Sequence, residues 1–339
     1  MINQIYQLIS PRNISIKYEE ISFEGNELIV NPLYLSLCHA DQRYYTGNRD
    51  KKVLAKKLPM ALIHECCGEV VFDPKNEYSI GEIVVMIPNV PGKYEKEIYE
   101  NYATGAKFLS SGIDGFMREY VNISRDRVIK KTKDIPLETL AITEFISIGF
   151  HILERFQKNS HSHREHLAVW GDGNLAFIMS SILREYFPNS KITVLGKQKE
   201  KLSLFSFVNE TILVDEIPED FHPDHAFECV GGEGSQYAID DVISTIKPQG
   251  TLMLAGVSEH TIPINTRDIL EKGITVVGCS RSGYEDFQNA MQFLENKKVQ
   301  KRMSMIVKYF GEVNSISDIH KVFEFDLSNP YKTVFKWGI

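Results

Sequence analysis

The chain contains no apolar run near the ~20 residues that a membrane-crossing helix needs. Its first residues, Met1-Ile2-Asn3-Gln4, place no basic stretch ahead of an apolar core, so no secretory signal is expected. Positive charge is scarce as well. Against 38 Lys and Arg stand 45 Asp and Glu, a net charge of −7, which argues against general binding to nucleic acid. The five cysteines are odd in number, with spacings that build no disulfide framework. A cytoplasmic protein is the expectation. The 339 positions, 43% hydrophobic and 24% charged, suit a soluble globular enzyme with room for two domains.

The stretch Leu37-Cys38-His39-Ala40-Asp41 is followed by His64-Glu65, with His64 lying 26 positions after Cys38. A thiolate and an imidazole are good zinc ligands, and a carboxylate can complete a set of three that leaves one position open for chemistry. Glu144 is a candidate third ligand. Glu65 is open to three readings: a direct zinc ligand, a group exchanging with substrate, or a residue one step behind the ligands. Asp41 is expected to orient the ligands near Cys38. A run of cations, Arg43, Arg49, Lys51, Lys52, Lys56 and Lys57, follows in an otherwise acidic chain. Arg suits bidentate phosphate contacts. Arg43 and Tyr44 lie nearest Cys38 in sequence and are the expected substrate contacts, while the lysines read as a solvated loop.

Residues 1–145 read as short strands and turns, such as Ile14–Tyr18, Leu28–Val30 and Ile83–Ile87. Asp114–Val121 reads as a turn followed by a strand. From about residue 146 the pattern changes. The apolar strand Leu167–Trp170 runs into Gly171-Asp172-Gly173-Asn174-Leu175-Ala176. A helical run with Ile178, Met179, Ile182 and Leu183 follows, ended by Pro188, and then the strand Ile192–Leu195. This is a βαβ unit with a G-x-G-x-x-A turn, in which glycines admit a pyrophosphate to a helix N-terminus. Further strands at Ile212–Val214, His225–Glu228, Leu252–Ala255 and Ile274–Val277 imply a parallel, doubly wound Rossmann sheet over 146–285. Residues 286–339 should rejoin the first domain, ending in the strand Thr333–Lys336.

NAD enzymes usually carry an acidic residue about 20 positions past the glycines, on the ribose hydroxyls. Here the strand ends in Leu195-Gly196-Lys197, with Lys201 a helical turn on. No carboxylate at that strand end repels a 2′-phosphate, so NADPH is expected over NADH. The cofactor candidates are thus Gly171, Gly173, Asn174, Leu175, Gly196, Lys197 and Lys201, with Arg281 reaching cofactor or substrate from the last strand of the sheet. Zinc carries no electrons of its own. Paired with a nicotinamide it implies interconversion of a ketone and a secondary alcohol.

Cys38-His39-Ala40-Asp41 with Gly47, and Ile63-His64-Glu65-Cys66-Cys67-Gly68-Glu69-Val70, resemble the zinc motifs of the medium-chain alcohol and polyol dehydrogenases. Glu144–His151 resembles the segment in which sorbitol-type members carry a glutamate. Ala40–Gly47, Trp170–Leu175 and Ala226–Gly232 resemble the ribitol-5-phosphate dehydrogenase branch, which acts as ribulose-5-phosphate reductase. The resemblance covers essentially the whole chain. It implies a β-rich GroES-like catalytic domain beside the Rossmann domain and reduction of ribulose 5-phosphate for teichoic-acid synthesis. It also implies a cytidylyltransferase acting on the product, and a homodimer. Many relatives carry a four-cysteine structural zinc lobe where this chain has Asn89–Ser111. That stretch contains no cysteine, so one catalytic zinc and no structural zinc are expected. Ala40 also departs from the Ser or Thr usual in the family, which removes a proton-passing hydroxyl. The rivals are another polyol or sugar dehydrogenase of this fold and, in a different class, a nicotinamide-binding sensor without catalysis.

Overall fold

The computed structural model describes residues 1–339. The chain divides into two compact units, Met1–Ser147 with Arg281–Ile339, and Ile148–Ser280. The chain thus rejoins the first unit at Arg281, ahead of the position 286 expected from pattern. The difference matters because it moves Arg281 from the dinucleotide-binding segment into the first unit.

The first unit is β-rich. Its main sheet runs in the order Val128–Lys130, Ile83–Met86, Glu65–Phe72, Leu28–Ser36, Lys332–Trp337 and Val307–Val313, with Val121–Ile123 paired onto Leu28–Ser36. A smaller sheet joins Asn13–Glu20, Ile2–Ser10 and Met60–Ala61. Strand residues such as Leu8, Leu28, Val30, Leu35, Val70 and Phe335 share one core with Tyr44, Tyr45 and Phe116. Each such large apolar side chain stabilises the fold by about 1.5–3 kcal/mol. Asp114–Tyr120 differs from the sequence reading. It makes only an isolated bridge, at Arg118 with Ile5, and the strand begins at Val121. The reason is local. Asp114 accepts from Gln7 Nε2 and Ala61 N, Arg118 donates to the carbonyls of Asp114 and Gly115, and the amides of Gly115, Phe116 and Met117 bond to Ala61, Ile63 and Leu62, so this stretch is tied down by irregular bonds rather than by a strand ladder.

Register positions the chemistry. Ser36 lies opposite Glu65 on one side and Val334 on the other. The end of Leu28–Ser36, the start of Glu65–Phe72 and the start of Lys332–Trp337 therefore meet at one edge. Leu37 N donates to Thr333 O at 3.0 Å, continuing the pairing just beyond the sheet.

The second unit holds six parallel strands in the order Glu210–Leu213, Lys191–Gly196, His166–Trp170, His225–Glu228, Thr251–Leu254 and Thr275–Gly278. The order reverses direction beside His166–Trp170, the doubly wound arrangement whose switch point binds dinucleotides. The helix Asn174–Tyr186 packs Ala176 through Leu183 inward.

Candidate active site

Cys38 sits in extended conformation at the foot of the helix His39–Thr46. Three residues later, Asp41 turns back to it. Asp41 is fully buried; its Oδ2 accepts from Cys38 N at 3.1 Å, and its Oδ1 accepts from Ile63 N and Ser110 Oγ, both at 2.9 Å. One carboxylate thus braces both segments that carry the expected ligands. Ile63 needs the brace: it has φ +69, a left-handed conformation strained by about 1–3 kcal/mol for a β-branched residue. His64 follows it directly.

The side-chain donors of Cys38, His64 and Glu65 all lie within 4.8 Å of one another. Glu144, near the start of the helix Thr143–Asn159, is 2% exposed and not among those three. It is close enough that His64, Glu65 and Cys38 all act on its charge. Oε2 of Glu65 and Oε2 of Glu144 are buried without a hydrogen-bond partner. Two orphaned carboxylate oxygens beside a thiol and an imidazole suit a divalent zinc ion, which would supply the missing partner.

Burial drives the titration of the cluster. Loss of solvent around the sulfur raises the Cys38 thiol to about 12, with Lys332 pulling the other way. Burial likewise lifts the Glu144 carboxyl to about 8, opposed by His64. Glu65 is raised by burial, again against Lys332. Lys332 is the residue sequence reasoning missed. Its ammonium is 5% exposed as a residue and donates to Glu65 Oε1 and, at 2.6 Å, to Leu37 O. It also lies 4.7 Å over the Phe145 ring. Burial alone would lower it; the Glu65 carboxylate and Cys38 thiolate reverse that, and the net shift is upward. The only sequence signal was a lysine opening the final strand, ahead of the apolar pair Val334-Phe335.

Arg43 is half-buried beside His39, whose imidazole is lowered by burial and then by Arg43. Tyr44 is buried at 2% exposure. The Arg281 guanidinium lies 5.1 Å over Phe108, a ring 5.3 Å from that of His64. Arg281 holds φ +61, the kind of strained backbone that clusters at functional sites.

In the second unit, Gly171 adopts φ +128, and a Cβ there would press to 3.0 Å from Cys229 O. A Cβ on Gly173 would meet nothing within 4 Å. Gly171 thus serves close strand packing, and Gly173 leaves an open cradle before the helix Asn174–Tyr186, as a pyrophosphate requires. Asn174 and Leu175 form the first residues of that helix. The strand end has no acid of its own, but the loop brings one there. Asp172 Oδ2 accepts from Lys197 N at 2.8 Å and Gln198 N at 2.9 Å, and Lys201 Nζ lies 4.0 Å from its Oδ1. The expectation of no carboxylate holds for the strand end and fails for the site. A Cβ at Gly196 would collide with Asp172 at 2.7 Å, which explains the glycine. Lys197 is exposed, its Nζ 5.7 Å from the Tyr237 ring. Ala226–Gly232 also gains a reason: buried Glu228 accepts from the amides of Val230, Gly231 and Gly256 and from Ser235 Oγ.

A GroES-like β unit with a thiol, imidazole and carboxylate set, in a chain with a doubly wound parallel sheet, defines a zinc-dependent medium-chain dehydrogenase/reductase, and the chain belongs to that family. Residues 24–133 match the alcohol dehydrogenase GroES-like domain, and residues 199–296 the zinc-binding dehydrogenase family. Among individual proteins, the chain is 52% identical to a ribulose-5-phosphate reductase of Streptococcus pneumoniae, covering 100% of this chain and 98% of that one. It is 46% identical to ribulose-5-phosphate reductase 2 of Staphylococcus aureus, covering both chains fully. The crystal structure of S. aureus TarJ in complex with NADPH superposes with a TM-score of 0.89 at 42% identity, again covering both chains fully.

Proposed function

We propose that the chain is a zinc-dependent oxidoreductase that reduces D-ribulose 5-phosphate to D-ribitol 5-phosphate with NADPH. The observation that carries this reading is the convergence of Cys38, His64 and Glu65 in a chain 52% identical over its full length to a ribulose-5-phosphate reductase. When bound, zinc supplies Lewis acidity toward the ketone oxygen and the reduced nicotinamide supplies hydride. The side chains do the rest. Cys38 and His64 hold the metal, and the carboxylate that joins them comes from Glu144 or from Glu65, which is tied through Oε1 to Lys332. Asp41 positions the two ligand-bearing turns. Arg43 and Tyr44 contact substrate, and Gly171, Gly173, Asn174, Leu175 and Gly196 shape the cofactor loop. Lys197 and Lys201 attract a 2′-phosphate, and Arg281 reaches cofactor or substrate.

Reduction needs a proton as well as a hydride. Ala40 has no hydroxyl to pass one, so it comes from water, from Glu65 or Glu144, or from a substrate hydroxyl. Ligation by Glu144 and proton donation by Glu144 exclude each other, and the zinc content of Glu144→Gln separates them: loss of metal assigns ligation, retention with a slower rate assigns the acid.

Further along, a cytidylyltransferase would consume the product to form CDP-ribitol for teichoic acid or capsule, in the cytoplasm. No helix is long and apolar enough to cross a membrane. The edge strand Thr275–Gly278, paired on one side only and with three of its four residues exposed, supports a homodimer. The test is a panel of pentulose phosphates with NADPH and NADH, before and after chelation. Expected is NADPH-linked turnover of D-ribulose 5-phosphate, lost on chelation and restored by zinc. Preference for a phosphate-free pentulose would move the chain to another polyol dehydrogenase activity. No turnover with any member of the panel would leave the sensor.

A further inference from the structure

The segment Asn89–Ser111 carries no cysteine, so a thiolate-bound metal does not hold it in place. Glu100 does. Its Oε1 accepts from Arg127 Nη1 at 2.7 Å and its Oε2 from Arg127 Nη2 at 3.2 Å, a bidentate pair whose Arg127 side chain is only 9% exposed. Asn89 joins the pair from both sides. Its Nδ2 donates to Glu100 Oε1, and its carbonyl accepts from Arg127 Nη1, both at 3.5 Å. Asn89 also lies opposite Phe108 in a short antiparallel ladder that closes the segment. Glu100 therefore anchors the strand that carries the Phe108 ring.

The same carboxylate reaches a turn 184 positions further on. Its Oε1 accepts from Tyr284 N at 2.8 Å, and the Arg127 guanidinium lies 5.9 Å from the Tyr284 ring. The approach leaves no room for a side chain at the preceding position: a Cβ on Gly283 would stand 2.9 Å from Glu100 Cγ. Gly283 N donates to Asp286 Oδ2 at 2.8 Å, and Ser282 Oγ hydrogen-bonds with Ser147 Oγ at 2.7 Å. Three consecutive residues are thus tied down, and Arg281 directly precedes them at φ +61. A left-handed arginine persists only where its surroundings over-determine it. Its guanidinium lies 5.1 Å over Phe108, the ring that stands 5.3 Å from that of His64. Both sides of the Arg281–Phe108 contact hang from Glu100.

Resting on the function proposed above, in which Arg281 reaches cofactor or substrate, we propose that Glu100 is the positioning residue for Arg281. Through Arg127 and Asn89 it sets the Phe108 ring, and through Tyr284 N it sets the turn that aims the guanidinium over that ring. Glu100 touches neither reactant. An Arg281 released from this turn keeps its charge and loses the fixed geometry that a charge-assisted hydrogen bond needs.

The test is a double-mutant cycle in the zinc-loaded enzyme, reading kcat and the separate KM values for D-ribulose 5-phosphate and NADPH. Arg281→Met should raise one of the two KM values by about tenfold. Glu100→Ala should raise the same one by about fivefold. In the Arg281→Met background, Glu100→Ala should add less than about twofold, because the group it aims is gone. Glu100→Gln, which keeps an acceptor for Tyr284 N, should recover most of the loss. Hydrogen exchange without substrate gives a second reading that needs no turnover. Glu100→Ala should speed exchange over residues 282–286 and leave the strand Leu28–Ser36 as protected as in the natural enzyme. Unchanged exchange over 282–286 overturns the assignment. So does a KM effect of Glu100→Ala that multiplies in full with that of Arg281→Met, or one that falls on the other reactant. Natural KM values in Arg281→Met overturn it as well. A natural enzyme that does not reduce D-ribulose 5-phosphate removes the proposed function instead, and faster exchange in Glu100→Ala would still show the turn hung on Glu100.

Discussion

The metal-side residues Cys38, His64, Glu65, Glu144 and Lys332 are drawn from segments spread across most of the chain, while the cofactor-side residues, Arg281 apart, fall within the single run Gly171–Lys201. The first set is buried, charged and mutually dependent: Lys332 balances Glu65 and Cys38, and Asp41 braces two turns. The second set is a loop and a turn pinned by one carboxylate, with its lysines near solvent. A change on the metal side should therefore disturb the fold as well as the chemistry. A change on the cofactor side should disturb binding alone.

The sharpest way to break this contrast is at Cys38. Cys38→Ser should abolish zinc binding and reduce activity to background, since a thiolate is the strongest donor of the set. Metal analysis by mass spectrometry and turnover with added zinc check it, and full activity in this variant would remove the thiolate from the site. Next in size is Lys332. Removing one partner of a buried ion pair leaves the other charge stranded, at a cost of about 3–5 kcal/mol. Lys332→Met should lose that much in urea unfolding of the metal-free protein, and Lys332→Arg much less. A loss below about 1 kcal/mol would mean that Lys332 tunes the site without supporting the fold.

These two positions also mark the limits of what could be read from residues. Cys38 and His64 were legible because a thiol and an imidazole carry zinc-ligand chemistry in the residue itself, and because the short motifs around them resemble those of the family. The glycine loop was legible because strand, turn and helix follow one another without interruption. Lys332 was not, because its partners come from register between strands far apart in sequence, and no local pattern encodes that pairing. Lys57 could not be told from Lys56, since only the fold decides which lysine of a short helix is half-buried. Asp172 was hidden differently. It stands in the loop that was read, but its target is the backbone of Lys197 and Gln198, which no side-chain motif records. The late strand start at Val121 has the same origin, because Asp114 and Arg118 satisfy backbone groups that a strand would otherwise pair.

A pH experiment sharpens the metal side further. Glu144 titrates near 8 in the metal-free fold against an ordinary 4.5, raised by burial. The folded state therefore holds this proton more tightly than the unfolded chain. The stability it contributes is complete below pH 4.5 and is lost as pH rises through about 8. Melting of the metal-free protein should fall across that window, and Glu144→Gln should flatten the slope. Zinc takes the ligands deprotonated, so affinity for the metal should rise over the same window. An equal slope in Glu144→Gln would assign the pH dependence to another group.

The smallest effect is expected on the cofactor side, and it tests the other half of the contrast. Lys197 is exposed, its amide is held by Asp172, and its ammonium lies near Tyr237. Lys197→Asp replaces a cation with an anion where a 2′-phosphate would sit, without touching the buried structure. Stability should stay within about 0.5 kcal/mol, while the ratio of kcat/KM for NADPH over NADH should fall by about tenfold. The backbone amide keeps its bond to Asp172 whatever side chain position 197 carries, so the turn should hold its shape and the loss should track charge alone. High salt should shrink the difference between variant and natural enzyme, because an exposed charge is screened. If Lys197→Asp left the selectivity untouched, discrimination would have to come from Lys201 and its approach to Asp172. If it unfolded the protein, the loop would be as integral to the fold as the metal turn, and the distinction between the two regions would fail.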